Sequence, residues 1–371
     1  MASLAPPTSE PRPVDPRLFE DAFSISRDRF LGQLKENGVP DDTVDYCREL
    51  FDYNVPGGKL NRGMAVIETA TLLRGHELSL KEFSQAATLG WAAEFLQTCM
   101  LVVDDMMDGS TMRRGKACWY RVKNIGNRAI NDMALVKSAI FRLLRSHFKH
   151  EPYYTALVEV FGDVAYKTTM GQCVDLITAP ENRLNLSKFS FERHRLIVIY
   201  KTAIYSFYLP VATAMVMCGF PMSHAVSSPS SPDVYKLAWD ILTPLGVYFQ
   251  SQDDYLDYAG TSDQIGKVGT DIVDNKCSWC IVSALAVVSP AQRAVLESAY
   301  GRKNETDEEL VREVFRTVGV DFLYQEYEKA AFDRVDGLID RLVEVENPDG
   351  DAILRKEVFR RFLRKIHRRV K

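Results

Sequence analysis

Apolar residues recur at steps of three and four along most of the chain from about Pro16 onward, the spacing of one face of an α-helix. The clearest case follows Ser79 and Glu82, which read as a capping box. Leu89, Ala92, Leu96, Met100, Val103 and Met107 then fall in a stripe that predicts one long helix. Met133, Val136, Ile140, Leu143 and Leu144 form a second stripe, with Asn131 as its expected N-cap. No run alternates with period two and no strand-helix rhythm appears, so the fold class reads as all-α. Breaks fall at Asn54–Gly58, Gly109–Gly115, Thr178–Arg183, Ser223–Asp233, Gly260–Gly269 and Asn347–Asp351. None has the length or composition of a domain linker. The expected organisation is a disordered Pro-rich arm over residues 1–16 and a single helical domain over 17–371, with a loop insertion near Ser227–Ser231.

Composition narrows the class. A chain of 371 residues, 46% apolar and 26% charged, can bury a large core and is neither a disordered segment nor a disulfide scaffold. Seven cysteines, an odd number, suit reduced thiols in a cytoplasmic protein. Cys277 and Cys280 form a C-x-x-C without the second pair a zinc site needs, so core or surface thiols are expected. The opening MASLAPPTSEPRPVDP has no apolar h-region and no Arg-rich amphipathic stretch, so no targeting address is read there. Leu209 to Met222, interrupted by Pro210, falls short of the roughly 20 residues of a spanning helix, so no stable membrane insertion is expected.

A net charge of −4 gives no general attraction for nucleic acid or anionic lipid, but the charge is segregated. Residues 355–371 carry nine Lys/Arg against the single acid Glu357, a local +8 that leaves the rest of the chain at −12. Leu354, Val358, Phe359, Phe362, Ile366 and Val370 give this tail an apolar side, which suits docking on a core or contact with a membrane surface.

Two acidic clusters carry the chemistry. Asp104, Asp105 and Asp108 stand in LVVDDMMD, and Asp253, Asp254 and Asp257 in FQSQDDYLD. Residues i and i+4 share a helical face while i+1 points aside, so Asp104 with Asp108, and Asp253 with Asp257, are matched carboxylate pairs. A solvated acidic face fits poorly among Leu101, Val102, Val103, Met106, Met107, Phe249, Tyr255 and Leu256. Carboxylates carried inward need neutralising, and hard oxygen ligands suit Mg²⁺, which prefers one or two carboxylates plus phosphate oxygens. Two facing pairs would make an incomplete magnesium cage that a diphosphate completes. Basic residues accompany them: Arg113 and Arg114 after the first cluster, Lys59 and Arg62 in PGGKLNRG, Lys267 in GKVGTD, and Lys201 in KTAIYSFYLP. GKVGTD lacks the Walker spacing and a preceding strand, so ATP chemistry is disfavoured.

PGGKLNRG, LVVDDMMDGSTMRRGKACWY, GQCVDLITAPE, YKTAIYSFYLP, FQSQDDYLD and GKVGTDIVDNKCSW, in this order, resemble the eukaryotic farnesyl diphosphate synthase type of trans-isoprenyl diphosphate synthase over roughly residues 20–371. The resemblance implies an isoprenoid synthase fold, helices around a central cavity, usually homodimeric, that condenses isopentenyl diphosphate with dimethylallyl or geranyl diphosphate. It implies that Asp104, Asp105, Asp108, Asp253 and Asp257 hold Mg²⁺, three ions per site with Mn²⁺ able to substitute, and that Asp254 supports them. Arg113, Lys201 and Lys267 would neutralise the allylic diphosphate, with Gln172, Asp175 and Lys276 beside it and Tyr205 and Phe249 shaping the cleft. Lys59, Arg62, Gln97 and Arg114, with Asn61 nearby and Arg368, Arg369 and Lys371 closing from the tail, would bind isopentenyl diphosphate. The Lys201 and Thr202 carbonyls and the Gln250 amide would steady an allylic cation. The released diphosphate would serve as base, since no histidine falls in a motif.

One departure bears on product length. Aromatic residues usual in such synthases five and four positions before the first aspartate are replaced by Cys99 and Met100, and Ile204 stands where an aromatic is common. The positions lie about 6 to 7.5 Å below Asp104 along a helix, so a smaller, softer floor would permit extension from C15 to C20. The alternatives are a C15-only product after neighbours refill the gap, a geranyl diphosphate-producing paralogue, and a non-catalytic regulatory subunit. A class I terpene cyclase is disfavoured, because its second metal motif resembles N-D-x-x-S-x-x-x-E.

Overall fold

The structure is a computed structural model that describes residues 15–180, 184–222, 232–260 and 269–367. Most of the arm, the Ser227–Ser231 insertion, Lys267, Arg368, Arg369 and Lys371 lie outside the described residues. Helices α1 (Pro16–Glu36), α2 (Asp41–Asn54), α3 (Asn61–Arg74), α4 (Leu80–Met107), α5 (Arg128–Phe148) and α6 (Tyr154–Thr178) come first. A continuous helical stretch follows: α7 (Phe191–Val198), a π-helical segment (Ile199–Tyr208) and α8 (Leu209–Met217). Then come α9 (Val234–Ala259), α10 (Trp279–Leu285), α11 (Pro290–Ala299), α12 (Glu305–Val318), α13 (Val320–Arg341) and α14 (Lys356–Ile366). Extended structure among the described residues is limited to two antiparallel two-residue ladders, β1 (Met112–Arg113) with β2 (Lys116–Ala117) and β3 (Val345–Glu346) with β4 (Ile353–Leu354). The all-α expectation holds. The chain divides into two compact units, one of Met1–Ala165, Tyr208–Ala238 and Val343–Val358, the other of Tyr166–Phe207, Trp239–Leu342 and Phe359–Lys371.

In the first unit α4 opens with the expected capping box: the Glu82 amide donates to Ser79 Oγ at 3.3 Å and the Ser79 amide to Glu82 Oε2 at 2.9 Å. Its burial exceeds a single stripe. Every residue from Ala86 to Leu96 is buried, so α4 is a core helix along its middle, while its first residues are exposed or half-exposed and from Met100 on it is mostly half-exposed. Close approach to α3 requires Gly90, where a Cβ would lie 2.7 Å from the Gly63 carbonyl oxygen. Trp91 stacks on Phe19 with ring centroids 4.4 Å apart and donates its indole N–H to the Phe19 carbonyl at 2.9 Å.

Asn131 does not cap α5. The helix begins three residues earlier, at Arg128, because the Ile125 and Gly126 carbonyls accept from the Arg128 and Ala129 amides, each at 3.1 Å, and supply the first turn without a side-chain cap.

In the second unit Trp279, Cys280, Ile281, Tyr300, Val311, Phe315 and Tyr324 form a core that also buries Cys277, so the C-x-x-C thiols are packing groups. The basic tail docks. Phe359, Leu363 and Ile366 are buried, Gln252 Nε2 on α9 donates to the Ile366 carbonyl at 3.2 Å, and the His367 ring lies 4.2 Å from Phe332. The apolar side of the tail, as far as Ile366, thus packs on the protein.

Two helical stretches, Leu80–Met107 and Phe191–Met217, are long and apolar enough to cross a membrane. The second is longer than the Leu209–Met222 run suggests, because α7 and the π segment extend it backwards. The apolar windows of the two are 78% and 67% buried within the protein, which accounts for their hydrophobicity as core helices.

Candidate active site

In the first unit the C-terminal end of α4 presents Asp104 and Asp105, with Asp108 as its C-cap. Asp104 and Asp108 are half-exposed, as the i, i+4 spacing requires. Asp105, which points aside, is 1% exposed and carries an ion pair that the periodicity did not show. The β1–β2 hairpin folds Arg113 back onto it, with Nη2 2.5 Å and Nε 3.1 Å from Oδ1. This two-point contact neutralises the buried carboxylate and holds Arg113 beside the acidic face.

Arg114, next in the hairpin, has a left-handed backbone (φ +53°) and turns the other way. Its Nη1 donates to the carbonyls of Asn54, Val55 and Pro56 at 3.1, 3.0 and 3.1 Å. A Cβ on Gly58 would meet the Arg114 Nη2 at 2.7 Å, so a side chain there would displace the guanidinium that lies across the loop. Leu60, at the entry of α3, is also left-handed at φ +51°. Non-glycine residues in this conformation store backbone strain, and here they sit beside Lys59 and Arg62 at the entry of α3 and in the hairpin that carries Arg113 and Arg114. Arg62 hydrogen-bonds Gln97 on α4, while Lys59 is exposed.

Burial lowers the Arg114 pKa from the ordinary guanidinium value. Glu94 opposes that shift, and the positive charges of Arg113 and Arg62 add to it. An anion beside this acidic helix end would relieve the repulsion that Arg113 and Arg62 exert on Arg114. Arg113 and Arg114 also line a cavity with Tyr53, Thr98, Asp105 and Trp119.

In the second unit the π segment carries Lys201, Thr202, Ile204 and Tyr205. Two glycines set its position. Gly171 on α6 packs against the Lys201 backbone, where a Cβ would lie 2.8 Å from the Lys201 Cα, and Gly246 on α9 would place a Cβ 2.8 Å from the Ala203 Cα. Any side chain at either site would push the segment away. Such wide i to i+5 turns are rare and concentrate at functional sites. Lys201 Nζ pairs with Asp175 Oδ2 at 2.7 Å, and Gln172 stands one turn before Asp175 on α6. Lys276 is half-buried, and its carbonyl accepts from Tyr300 Oη at 2.6 Å.

The face of α9 that holds Gly246 also holds Gln250, Asp253 and Asp257. Phe249 makes an edge contact with Phe207, centroids 5.3 Å apart. Asp253 is exposed, and Asp257 accepts from the Asp271 amide at 2.9 Å, which ties the chain after the GKVGT stretch to the helix. Asp254 is buried and accepts from His194 Nε2 at 2.9 Å, the Trp279 amide at 2.7 Å and Gln250 Nε2 at 2.9 Å. His194 is the residue sequence reasoning missed. It lies in no motif, and the fold alone brings it to Asp254 from 60 positions away.

The middle aspartate of each cluster is therefore a buried, internally satisfied group, while the outer pairs Asp104/Asp108 and Asp253/Asp257, of which Asp257 is itself buried, supply carboxylates at helical i, i+4 spacing. Their hard oxygen donors fit Mg²⁺. Among the described residues no three His, Cys, Asp or Glu side chains converge to hold a metal ion by themselves. Cys99 is buried, with its Sγ 3.5 Å from the Met133 carbonyl of α5; Met100 is half-exposed and Ile204 fully buried.

The polyprenyl synthetase family model matches residues 44–318. The farnesyl pyrophosphate synthase of Ganoderma lucidum is 50% identical over 356 residues, 95% of this chain and 97% of that protein. That of Schizosaccharomyces pombe is 45% identical over 359 residues, 96% and 99%. Among solved structures, the Trypanosoma brucei farnesyl diphosphate synthase complexed with risedronate superposes with a TM-score of 0.81 at 30% identity, covering 96% of this chain and 99% of that one.

Proposed function

The chain belongs to the polyprenyl synthetase family, and on that premise we infer that it is a farnesyl diphosphate synthase-type prenyltransferase that joins isopentenyl diphosphate to dimethylallyl and geranyl diphosphates. What supports the site assignment is that each acidic cluster sets two carboxylates at i, i+4 on one helix face, with Arg113 held on buried Asp105 in the first unit and Lys201 held on Asp175 in the second. Asp104, Asp108, Asp253 and Asp257 would hold Mg²⁺. When bound, the metal neutralises charge developing on the departing diphosphate.

The chain's own residues do the rest. Arg113, fixed on Asp105, and Lys201, fixed on Asp175, hold the allylic diphosphate as its C–O bond breaks and the electron pair leaves with oxygen. The Lys201 and Thr202 carbonyls and the Gln250 carbonyl face the allylic cation with negative charge density. Lys59, Arg62 and Gln97 place isopentenyl diphosphate, whose double bond forms the new C–C bond. A proton then leaves to the released diphosphate. Arg114 serves this site by shaping the Asn54–Gly58 loop as well as by charge.

The product is C15, with C20 permitted by Cys99, Met100 and Ile204. The exposed stripe Tyr166, Met170, Cys173 and Ile177, at steps of four, three and four on α6, supports a homodimer seam. Seven cysteines without a disulfide suit the cytoplasm. The test is product chromatography with labelled isopentenyl diphosphate and dimethylallyl, geranyl or farnesyl diphosphate as separate starters. C15 from the first two supports the reading, and no condensation with any starter overturns it.

A further inference from the structure

We propose that His194 and Asp254 are positioning residues that lock the Gln250 side chain with its carbonyl oxygen, rather than its NH₂, presented to the allylic cation. This rests on the prenyl-transfer reading above and adds to it a reason why the amide acts as a negative pole.

A carboxylate can only accept hydrogen bonds, so each of its partners must offer a donor. Asp254 Oδ2 takes two, from His194 Nε2 at 2.9 Å and the Trp279 amide at 2.7 Å, and Oδ1 takes the Gln250 contact at 2.9 Å. The Gln250 atom on Asp254 is therefore nitrogen, and the carbonyl oxygen is the end turned away. Among the described residues no hydrogen bond to that oxygen is formed, although Gln250 is half-buried. The i, i+4 spacing on α9 makes the contact local, while His194 on α7 and the Trp279 backbone fix the carboxylate from two other parts of the second unit.

A reversed amide would put N–H groups toward a cation and repel it. A glutamine whose nitrogen is held by a buried, doubly anchored carboxylate cannot reverse without losing a charge-assisted bond. The same three bonds occupy both Asp254 oxygens, which separates its role from that of Asp253 and Asp257 on the same helix.

Asp254→Asn should lower kcat by about 10- to 100-fold, the range for groups that orient a reacting side chain from behind, with little change in either KM or in the half-saturating Mg²⁺ concentration. His194→Phe should do the same more weakly, and His194→Gln, which keeps a donor, should recover most of the loss. Asp254→Asn combined with Gln250→Ala should be no slower than Gln250→Ala alone. A raised Mg²⁺ requirement in Asp254→Asn, or losses that multiply in the double variant, would make Asp254 an independent ligand and overturn the proposal. Nuclear magnetic resonance of ¹⁵N-glutamine-labelled protein reads the lock without turnover: the Gln250 NH₂ should give two resolved, exchange-protected signals that collapse in Asp254→Asn. Identical signals in the two proteins would sink the lock. An inactive wild type with this spectral change would sink only the prenyl-transfer reading.

Discussion

Replacing Arg113 by methionine would leave Asp105, 1% exposed at the end of α4, without the guanidinium that contacts it at 2.5 and 3.1 Å. Stripping one partner from a fully buried ion pair costs about 3–5 kcal/mol. The Arg113 side chain is 40% exposed, so water partly replaces it, and the expected loss is about 2–3 kcal/mol, a factor of roughly 30 to 150 in the folding equilibrium. Urea unfolding followed by circular dichroism measures it. Arg113→Lys should recover only part, because a point-like ammonium cannot reproduce the two-point contact. Asp105→Asn combined with Arg113→Met should cost at least about 1 kcal/mol less than the sum of the single changes, since the second removes a charge the first has orphaned. Additive losses, or single variants within about 0.5 kcal/mol of wild type, would refute the pairing argument.

Gly171→Ala and Gly246→Ala each drive a methyl group into the π segment and should cut kcat far more than they change overall helicity, read by steady-state kinetics beside circular dichroism. Alkylation at pH 8 followed by mass spectrometry should spare the buried Cys99, Cys218 and Cys277 in the folded protein and label them after unfolding in urea. Burial pushes the thiols of Cys99, Cys218 and Cys277 up to about 12, so they stay protonated and unreactive until the protein unfolds. With farnesyl diphosphate as starter, wild type should give some C20 product and Cys99→Phe none; C15-only profiles from both would remove the open-floor idea. Gln252→Ala frees the Ile366 carbonyl and should raise the KM for isopentenyl diphosphate more than for the allylic substrate.

Local signals carry far into the fold. The Ser79–Glu82 capping box and the i, i+4 aspartates are legible because they depend on helix geometry alone. What depends on distant packing is not: the all-round burial of α4, the start of α5 on loop carbonyls, and the π turn held between Gly171 and Gly246. His194 illustrates the limit, because a lone histidine carries no pattern until the fold sets it on Asp254. Periodicity turns the i+1 aspartates aside, in the direction they take in the structure, but it cannot say that each finds a buried partner.

Calorimetric titration of inorganic diphosphate into the protein, with saturating Mg²⁺ and again with excess chelator, isolates the carboxylate–cation chemistry from every later step. Tight binding should require the metal and should weaken sharply in Asp104→Asn and Asp253→Asn. Equal affinity with and without Mg²⁺, or full affinity in both variants, would contradict it.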